Sequence, residues 1–443
     1  MKLALGLTSL ATVLAAIVAY GTHPFWAQHP HGLGVILFSR QVQWPALFTS
    51  LAAAMGVVAL VIAGKARGWW MVGLAPLLAL FAHRFTTDPT SGMASVEDPA
   101  FVPAVQANFV NDDDYVVGLA FGDKSYAYPY AALYSTPVVV HAQHDKRILV
   151  MWSAPANRAV ATTIKRDLRA RHLDIVSTPA NALLLYDTAH GQFVNGLTGL
   201  TTNGERPSSF VAPVVTAKMP WRQWRQLHAD TTVMVPTGRL AEKAPRQPLL
   251  PSWPMPKSIG ADDLARPVVV VGTTSPAAVA SGDLHAAPLN LSADGRPVVA
   301  FRDPRDERVR AFARKLDDLS PRFKLNRDAA RAARGVFLVD LDTDTGWNPD
   351  GVAVDAKKDL RSRKLAPVVV EDGLYWGVMK FWYPNLELAK GEPAPAVVAN
   401  ANTSGSAAAP SAKGKPRPER GGRVIRPPVA TKHAPKIQQS RAD

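Results

Sequence analysis

The sequence predicts an α+β protein whose strand-rich soluble region is built from two pseudo-repeated lobes, preceded by N-terminal transmembrane helices. Three observations indicate this fold class: long uncharged apolar segments in the first 90 residues, short apolar runs through the middle of the chain, and sequence words that recur about 150 residues apart. The predicted regions are a membrane region (1–90), a first lobe (91–243), a proline-rich linker (244–260), a second lobe (261–390) and a basic tail (391–443).

The membrane region contains three candidate spans. Residues 3–20 carry no charge over 18 positions and residues 44–64 carry none over 21, and about 20 apolar residues suffice to cross a bilayer as a helix. A third run, residues 69–82, has 14 residues and would cover only about 21 Å as an α-helix, so flanking residues must extend it. We predict about three transmembrane helices. A cleaved signal peptide is the alternative for the first.

The distribution of positive charge predicts the orientation of these spans. Lys2 precedes the first span, Lys65 and Arg67 lie between the second and third, and the first loop carries only Arg40. Cytoplasmic loops are enriched in Lys and Arg. We therefore expect a bacterial inner-membrane protein whose main domain faces the periplasm or the cell exterior. The chain has no cysteine, which excludes disulfides, thiolate nucleophiles and cysteine-ligated metals.

The formal net charge of +14 comes largely from the C-terminal tail. Residues 411–443 hold nine Lys or Arg and two Asp or Glu, which is +7. Proline and glycine are frequent in the tail and apolar side chains are few, so we expect it to be disordered. The partners we expect are the cytoplasmic membrane and, through this tail, an envelope protein or anionic polymer; the alternative is a solvated tail without a partner. No specific nucleic acid is expected.

Paired sequence words indicate an internal duplication of the soluble region. Asp187-Thr188 and Asp342-Thr343 lie 155 residues apart, as do Trp221 and Trp376. Each lobe is expected to contain a strand, an apolar hairpin, a helix, a strand ending in Asp-Thr and an aromatic helical segment. The two helices after the hairpins are predicted over residues 158–171 and 306–318. On this pattern, Asp187 and Asp342 should have equivalent structural tasks.

Several words resemble a bacterial family called domain of unknown function 3179. They are "YVVGLAFGDKSYAYPYAAL", "RILVMWSAPANRAVA", "LLLYDTAHGQF", "DLDTDTGWNPDGVAV" and "YWGVMKFWYPNLEL", and the resemblance covers residues 114–388. Members often carry a Tyr-Cys-Pro-x-Cys word, and here Ser153 and Ala156 stand in the cysteine places. The resemblance implies an architecture but no activity, and this chain lacks the thiols of its relatives.

Ser153 is the one reactive side chain at the predicted corner after the apolar run. It is a candidate nucleophile if a histidine lies within hydrogen-bond reach. The Gly-x-Ser-x-Gly word typical of hydrolases is absent, because the local sequence is "MWSAP". The alternative, which we favour, is that Ser153 caps the helix predicted to follow.

Two clusters contain residue types that bind metals. Asp340, Asp342 and Asp344 alternate as in a calcium loop, but Thr345 and Gly351 occupy the places where an EF-hand needs Gly and Glu. The alternative is an acidic strand end in which Asp342, like Asp187 in the first lobe, holds a turn; a catalytic role for either aspartate is the competing hypothesis.

The histidine pair His141 and His144 is a candidate zinc site, although a third ligand is lacking nearby. We expect both residues to be exposed in a hairpin turn. No cofactor is expected from the sequence.

These observations favour a membrane-anchored envelope protein whose duplicated domain binds or scaffolds a partner without catalysis. The alternative is an envelope hydrolase or metal-dependent enzyme that uses Ser153 or the region of Asp340, Asp342 and Asp344.

Overall fold

The structure, a computed structural model, describes residues 2–391 except 88–89, 91, 238–243, 252–254, 257, 273–274 and 357–359. The predicted basic tail lies outside the described residues from position 392 onward, as does part of the predicted linker. The α-helices are α1 (Lys2–Tyr20), α2 (Gly32–Ile62), α3 (Ala75–Thr87), α4 (Tyr130–Ser135), α5 (Trp221–Leu227), α6 (Ala261–Leu264), α7 (Asp283–Ala286), α8 (Ala329–Ala332) and α9 (Trp376–Trp382).

Among the described residues, two helices of the membrane region are long and apolar enough to cross a bilayer by length and composition, α1 and α2. The third predicted segment is not one long α-helix: it is a 3-10 helix, Gly68–Leu74, followed by the 13-residue α3. Gly68, Gly73 and Pro76 disfavour one continuous α-helix there.

The broken third segment runs alongside α1 in the same direction. Trp70 packs near Ala4 at the start of α1, and Leu77 packs with Ala11 and Ala15 farther along. At the far end, a hydrogen bond joins the Tyr20 hydroxyl to the ring of His83. The small alanines allow the close approach of these helices.

Strands outnumber helices among the described residues of the domain. They are β1 (Ser95–Glu97), β2 (Phe101–Pro103), β3 (Tyr115–Phe121), β4 (Lys124–Pro129), β5 (Val138–Gln143), β6 (Lys146–Ser153), β7 (Arg158–Ile164), β8 (Leu173–Ser177), β9 (Leu184–Asp187), β10 (Gln192–Asn195), β11 (Phe210–Val214), β12 (Thr216–Pro220), β13 (Thr232–Met234), β14 (Pro267–Val271), β15 (Ala277–Ala280), β16 (Leu289–Ala293), β17 (Arg296–Arg302), β18 (Val309–Ala313), β19 (Phe323–Leu325), β20 (Leu338–Asp340), β21 (Gly346–Trp347), β22 (Ala353–Asp355) and β23 (Val370–Tyr375). With the short helices between them, they form the predicted strand-rich α+β domain.

Six sheets organise these strands. The first half of the domain, residues 95–234, contains sheets in the order β12-β3-β4-β13-β2, β1-β5-β6-β7-β11 and β10-β9-β8. The second half contains β15-β14-β23, β16-β17-β18 and β19-β20-β21-β22. Apolar side chains from facing sheets form the cores; Tyr128, Leu133 and Trp152, for example, are fully enclosed in the first half. The tryptophan-bearing helices α5 and α9 bury Trp221, Trp224 and Trp376 against the sheets.

The corner after β6 is a β-hairpin, so the helix predicted over residues 158–171 is wrong. The helix predicted over residues 306–318 is wrong for the same reason, because a strand follows the corner there as well. Residues 158–164 form β7, which pairs antiparallel with β6 in a register that sets Ser153 opposite Arg158. The 3-10 helix Ala154–Ala156 and a left-handed Asn157 (φ 49°) close the turn. The small residues after the turn fit a helix or a strand, and pairing with β6 decides for the strand. In the second half β18 pairs with β17 in the same way.

The loop between α1 and α2 rests on the domain. Ala27 of this loop packs with Ala156 and Ala180, and Ile36 of α2 packs with Val176 and Leu184. Ion pairing between Arg40 and Asp174 adds a polar contact at the same face. The end of the bundle that carries Tyr20 is therefore the end that faces the domain.

Candidate functional site

Ser153 is buried and has a structural partner. Its hydroxyl oxygen accepts a hydrogen bond from the backbone N–H of Leu183 at 2.9 Å, and the 3-10 helix that follows receives no cap from its side chain. The predicted helix cap is therefore wrong. The hydroxyl instead ties the β6–β7 hairpin to the segment that leads into β9, away from solvent.

Asp187 is fully buried at the end of β9. Its Oδ1 accepts backbone N–H bonds from Ala189 (3.0 Å) and His190 (3.2 Å). Its Oδ2 lies 2.9 Å from His190 Nδ1 and accepts a 2.9 Å bond from the Ser209 hydroxyl. Four donors occupy this carboxylate, so it holds the turn after β9.

The three alternating aspartates of the second half have separate partners. Asp340 is fully buried and accepts bonds from the backbone N–H groups of Asp342 and Thr343 and from the Thr343 hydroxyl. Asp342 accepts from Arg322 N–H at 3.0 Å, and Asp344 pairs with Arg331 at 2.9 Å. Asp340, and not Asp342, thus accepts the same backbone hydrogen bonds as Asp187. The predicted equivalence of Asp187 with Asp342 is therefore wrong, because the equivalent residue lies two positions earlier.

His141 and His144 lie in different environments. His144 is exposed in the β5–β6 turn, 3.2 Å from Asp123, as predicted. His141 is buried on β5, contrary to the prediction, and its Nε2 is 2.6 Å from the Tyr128 hydroxyl. Burial lowers the pKa of His141 from 6.5 to about 4. In the part of the chain that the structure describes, no three metal-binding side chains lie together.

A buried ion cluster joins the two halves of the domain, and the sequence did not predict it. Glu371 on β23 pairs with Arg158 on β7 (Arg158 Nη1 to Glu371 Oε2, 2.6 Å) and with Lys218 on β12 (Nζ to Oε1, 3.3 Å). The exposed fractions of these side chains are 14%, 16% and 6%. Two cations from the first half thus surround one carboxylate from the second.

Asn157 ties the same region together by hydrogen bonds. Its Oδ1 accepts from the Tyr130 hydroxyl at 2.6 Å, and its Nδ2 donates to the carbonyl of Gly373 at 2.8 Å. Its own carbonyl accepts from the Lys218 ammonium. The left-handed backbone of Asn157 therefore brings its side-chain amide, its backbone carbonyl and the Lys218 ammonium together between the halves.

A β-bulge in β23 aims the acidic side chains into this region. The pairing of β14 with β23 shifts between Val268 and Val270, opposite Asp372 and Gly373. Gly373 has φ 71°, and a Cβ at this position would lie 3.2 Å from Asn157 Nδ2. Bulges often redirect a side chain near a functional site. Here the bulge brings Asp372 to Arg302 (3.0 Å) beside the Glu371 cluster.

Burial shifts the pKa of Lys218 and of two neighbouring tyrosines. Desolvation lowers the pKa of Lys218, and the charge of Glu371 opposes this effect. Burial also raises the pKa of the Tyr130 and Tyr383 hydroxyls. Both tyrosines therefore remain neutral beside a cluster whose side chains are mostly buried.

An open cleft with a volume of about 400 Å³ adjoins the ion cluster. Its walls come from β12 and α5 of the first half and from the β17–β18 turn and β23 of the second. They carry charges of both signs: Lys218, Arg302, Arg308, Asp306, Glu371 and Asp372. Such a cleft can hold a small polar or zwitterionic group, or a polar side chain of a partner.

Two sequence signals mark the residues of the cluster. The word "VEDG" at 370–373 places two acidic residues and a glycine directly after the run "PVVV". The word "ANR" at 156–158 places an asparagine that tolerates a left-handed backbone in a turn after proline. Neither signal identifies its partner, because Arg158 and Glu371, like Asn157 and Gly373, are more than 200 residues apart in sequence.

Comparison with known proteins gives one family. The model of a family described as a protein of unknown function (DUF3179) matches residues 90–385, which is well over half of the chain. No curated protein and no solved structure matches. The matched region begins after α3 and contains the ion cluster and the cleft.

Proposed function

The chain belongs to the DUF3179 family, and we propose that it is a three-pass protein of the bacterial inner membrane whose domain lies outside the cytoplasm and binds a ligand or partner in the cleft without catalysis. Two further features, the course of the third segment and the occupation of the reactive side chains, support the two parts of this proposal. Each part has its own experiment.

The third segment is long enough to cross because part of it is a 3-10 helix. Such a helix rises about 2.0 Å per residue, so Gly68–Leu74 covers about 14 Å, and the 13 residues of α3 add about 20 Å at 1.5 Å each. The total of about 34 Å compares with a hydrocarbon core of about 30 Å. Its contacts with α1 run from the level of Ala4 to that of Tyr20, which supports a third crossing.

This topology places three positively charged residues at one end of the bundle. Lys2, Lys65 and Arg67 lie at the end that holds Trp70, whereas the domain contacts the end that holds Tyr20. The positive-inside rule puts the first end in the cytoplasm. The domain then lies in the periplasm or at the cell exterior.

Reporter fusions test the topology. Alkaline phosphatase fused after Thr90 should be active, and the same reporter fused after Arg67 should be inactive. A two-pass protein would give activity at neither site or at both, because its chain would not cross between Arg67 and Thr90. Equal results at the two sites would therefore contradict the third crossing, and the reversed pattern would contradict the orientation.

The part of the proposal that concerns binding rests on how the domain uses its reactive groups. Ser153, Asp187 and Asp340 are buried, and each is engaged by hydrogen bonds that hold loops. The hydrolase hypothesis would need Ser153 beside a histidine in an open pocket. Its buried hydroxyl instead accepts a hydrogen bond from Leu183 N–H. The cleft, in contrast, is open and charged, which favours recognition of a polar ligand.

Photo-crosslinking in native membranes tests binding at the cleft. A photoreactive residue at Val215, which lines the cleft and is exposed, should give a discrete adduct. The matched control is Val105, which is also exposed but lies outside the cleft. Adducts that are equal at both positions would contradict a binding role for the cleft. Turnover of a captured small molecule by the purified protein would contradict the non-catalytic role.

We further propose that the domain arose by internal duplication. In each half, a hairpin (β3–β4 or β14–β15) pairs with the strand before the Trp-rich helix (β12 or β23). A three-stranded meander (β5–β6–β7 or β16–β17–β18) and a further sheet of three or four strands follow in the same order. Superposition of the two halves in an experimental structure, with these elements equivalent, is the test.

A further inference from the structure

A second cavity lies where the helical bundle meets the domain. We call it the junction cavity; its volume is about 430 Å³, and Thr22, Arg40, Trp44, Arg84, Arg171 and Asp174 line it. Thr22 just after α1, the segment 40–44 of α2 and Arg84 near the end of α3 form one wall, and residues 170–176 of the domain form the other. It is separate from the cleft between the two halves of the domain.

Positive charge dominates this cavity. Among the lining residues that the structure describes, three arginines face the cavity with one aspartate, Asp174, which is paired with Arg40. Arg84 donates to the Thr22 hydroxyl at 3.3 Å. Arg171 is exposed on the domain wall, with its Nε 3.3 Å from His172 Nε2. Guanidinium groups that converge on a cavity bind phosphate oxygens well, because they donate two parallel hydrogen bonds.

The aromatic residues place the cavity at the level of the lipid headgroups. Trp44 and Phe48 are 59% and 63% exposed and stack with ring centroids 6.1 Å apart, as expected of an aromatic belt. A second stacked pair, Trp69 and Trp70, lies toward the other end of the bundle. Helix α2 covers about 28 Å from Trp44 to its end, close to the thickness of the hydrocarbon core. The cavity thus opens beside Trp44, just outside that core.

We propose that the junction cavity binds the headgroup of an anionic phospholipid from the leaflet that faces the domain. The phosphate would be held by Arg84 and Arg171, with the acyl chains leaving along Trp44 and Phe48 into the bilayer. The inference rests on the proposed membrane-spanning bundle but requires neither the cleft nor its ligand. A bound lipid would hold the domain against the membrane near the α1–α2 loop, which packs on the domain.

Lipid binding to the purified full-length chain tests the proposal. Native mass spectrometry in detergent micelles would compare added phosphatidylglycerol with phosphatidylcholine. We expect phosphatidylglycerol to bind about tenfold more tightly or better, because the arginines repel the choline cation of phosphatidylcholine, whereas phosphatidylglycerol carries a net negative charge. Arg171→Gln and Arg84→Gln should each weaken this binding about tenfold. The matched control is Arg166→Gln, an exposed arginine of the same half outside the cavity, which should leave it unchanged.

Arg171→Gln is the deciding variant, because its exposed side chain can be replaced without disturbing the fold. Equal affinity for the two lipids, or unchanged phosphatidylglycerol binding in Arg171→Gln, would overturn the proposal. Displacement of the lipid by inorganic phosphate at equal concentration would show a free-phosphate site and overturn it as well. The reporter fusions decide the topology independently, so a failure of lipid binding is distinguishable from a wrong topology.

Discussion

Asp187 and Asp340 make the same hydrogen bonds at positions 153 residues apart. Each carboxylate is fully buried at the end of a strand, and its Oδ1 accepts from the backbone N–H groups two and three residues ahead. Each Oδ2 is bonded to the side chain three residues ahead, His190 at 2.9 Å and Thr343 at 2.6 Å. The two aspartates therefore stabilise their turns by the same pattern of hydrogen bonds.

The substitutions Asp187→Asn and Asp340→Asn should each lower the free energy of unfolding by about 1–3 kcal/mol, because an amide cannot satisfy all the buried donors. The control is Asp342→Asn, at the partly exposed neighbour, which should cost less than about 0.5 kcal/mol. Thermal unfolding and complementation of a deletion strain measure stability and function separately. Loss of function in only one of the buried variants, with an unchanged melting curve, would indicate a catalytic aspartate in that half.

The pH dependence of stability should reveal His141. Its folded-state pKa of about 4 lies below the ordinary value of 6.5, so the unfolded chain binds the extra proton between these values. Stability is then complete above pH 6.5 and is lost as the pH falls toward 4, by about 3 kcal/mol for this residue. Thermal unfolding of the full chain between pH 7 and 4 measures the loss.

A matched pair of variants assigns this loss to one residue. His141→Gln removes the titrating ring and should flatten the pH dependence in this window, whatever its own cost in stability. His144→Gln, at the exposed turn, should leave the dependence as in the wild type. An unchanged slope in His141→Gln would mean that other groups cause the acid sensitivity.

Local patterns in the sequence predicted the strands, the apolar helices and the Trp-rich segments that close each half. They failed where a choice depends on distant parts of the chain. Residues 158–164 became a strand because β6 pairs with them, and small residues alone do not decide between helix and strand. The alternation of Asp340 and Asp342 did not show which one faces inward, because a shift of two residues keeps the same face. The ion cluster could not be predicted, because Arg158 and Glu371 are distant in sequence and come together only in the folded chain.

Gly373 should be intolerant of a side chain for two reasons, a left-handed backbone and a close neighbour. Gly373→Ala should cost about 2–3 kcal/mol: about 1–2 kcal/mol for alanine at φ 71°, and the rest for the 3.2 Å approach to Asn157 Nδ2. Gly204→Ala is the control, with φ 83° and open space around the added Cβ. Chemical denaturation compares the two, and equal losses would show that Asn157 adjusts freely.

Removal of the central carboxylate should be the most damaging change in the ion cluster. Glu371→Gln leaves the Lys218 ammonium and the Arg158 guanidinium buried without a counter-charge, which typically costs about 3–5 kcal/mol. Lys218→Met should cost less, since Arg158 still pairs with Glu371 at 2.6 Å. The control is Asp113→Asn, which breaks a pair with Arg222 whose side chains are 55% and 76% exposed; exposed pairs contribute about 0–1 kcal/mol.

The pH dependence of the Glu371→Gln variant provides the second measurement. Burial already lowers the pKa of Lys218, and Glu371 opposes that effect, so Glu371→Gln should lower this pKa further. The unfolded chain then holds its lysine proton over a wider range below the ordinary pKa of 10.5, and the variant should regain stability as the pH rises toward that value. Denaturation at pH 7 and 9.5 measures this. A loss no larger than that of Asp113→Asn, without any recovery at high pH, would mean that water screens the cluster, and the two halves would then be held together mainly by Asn157 and the apolar core.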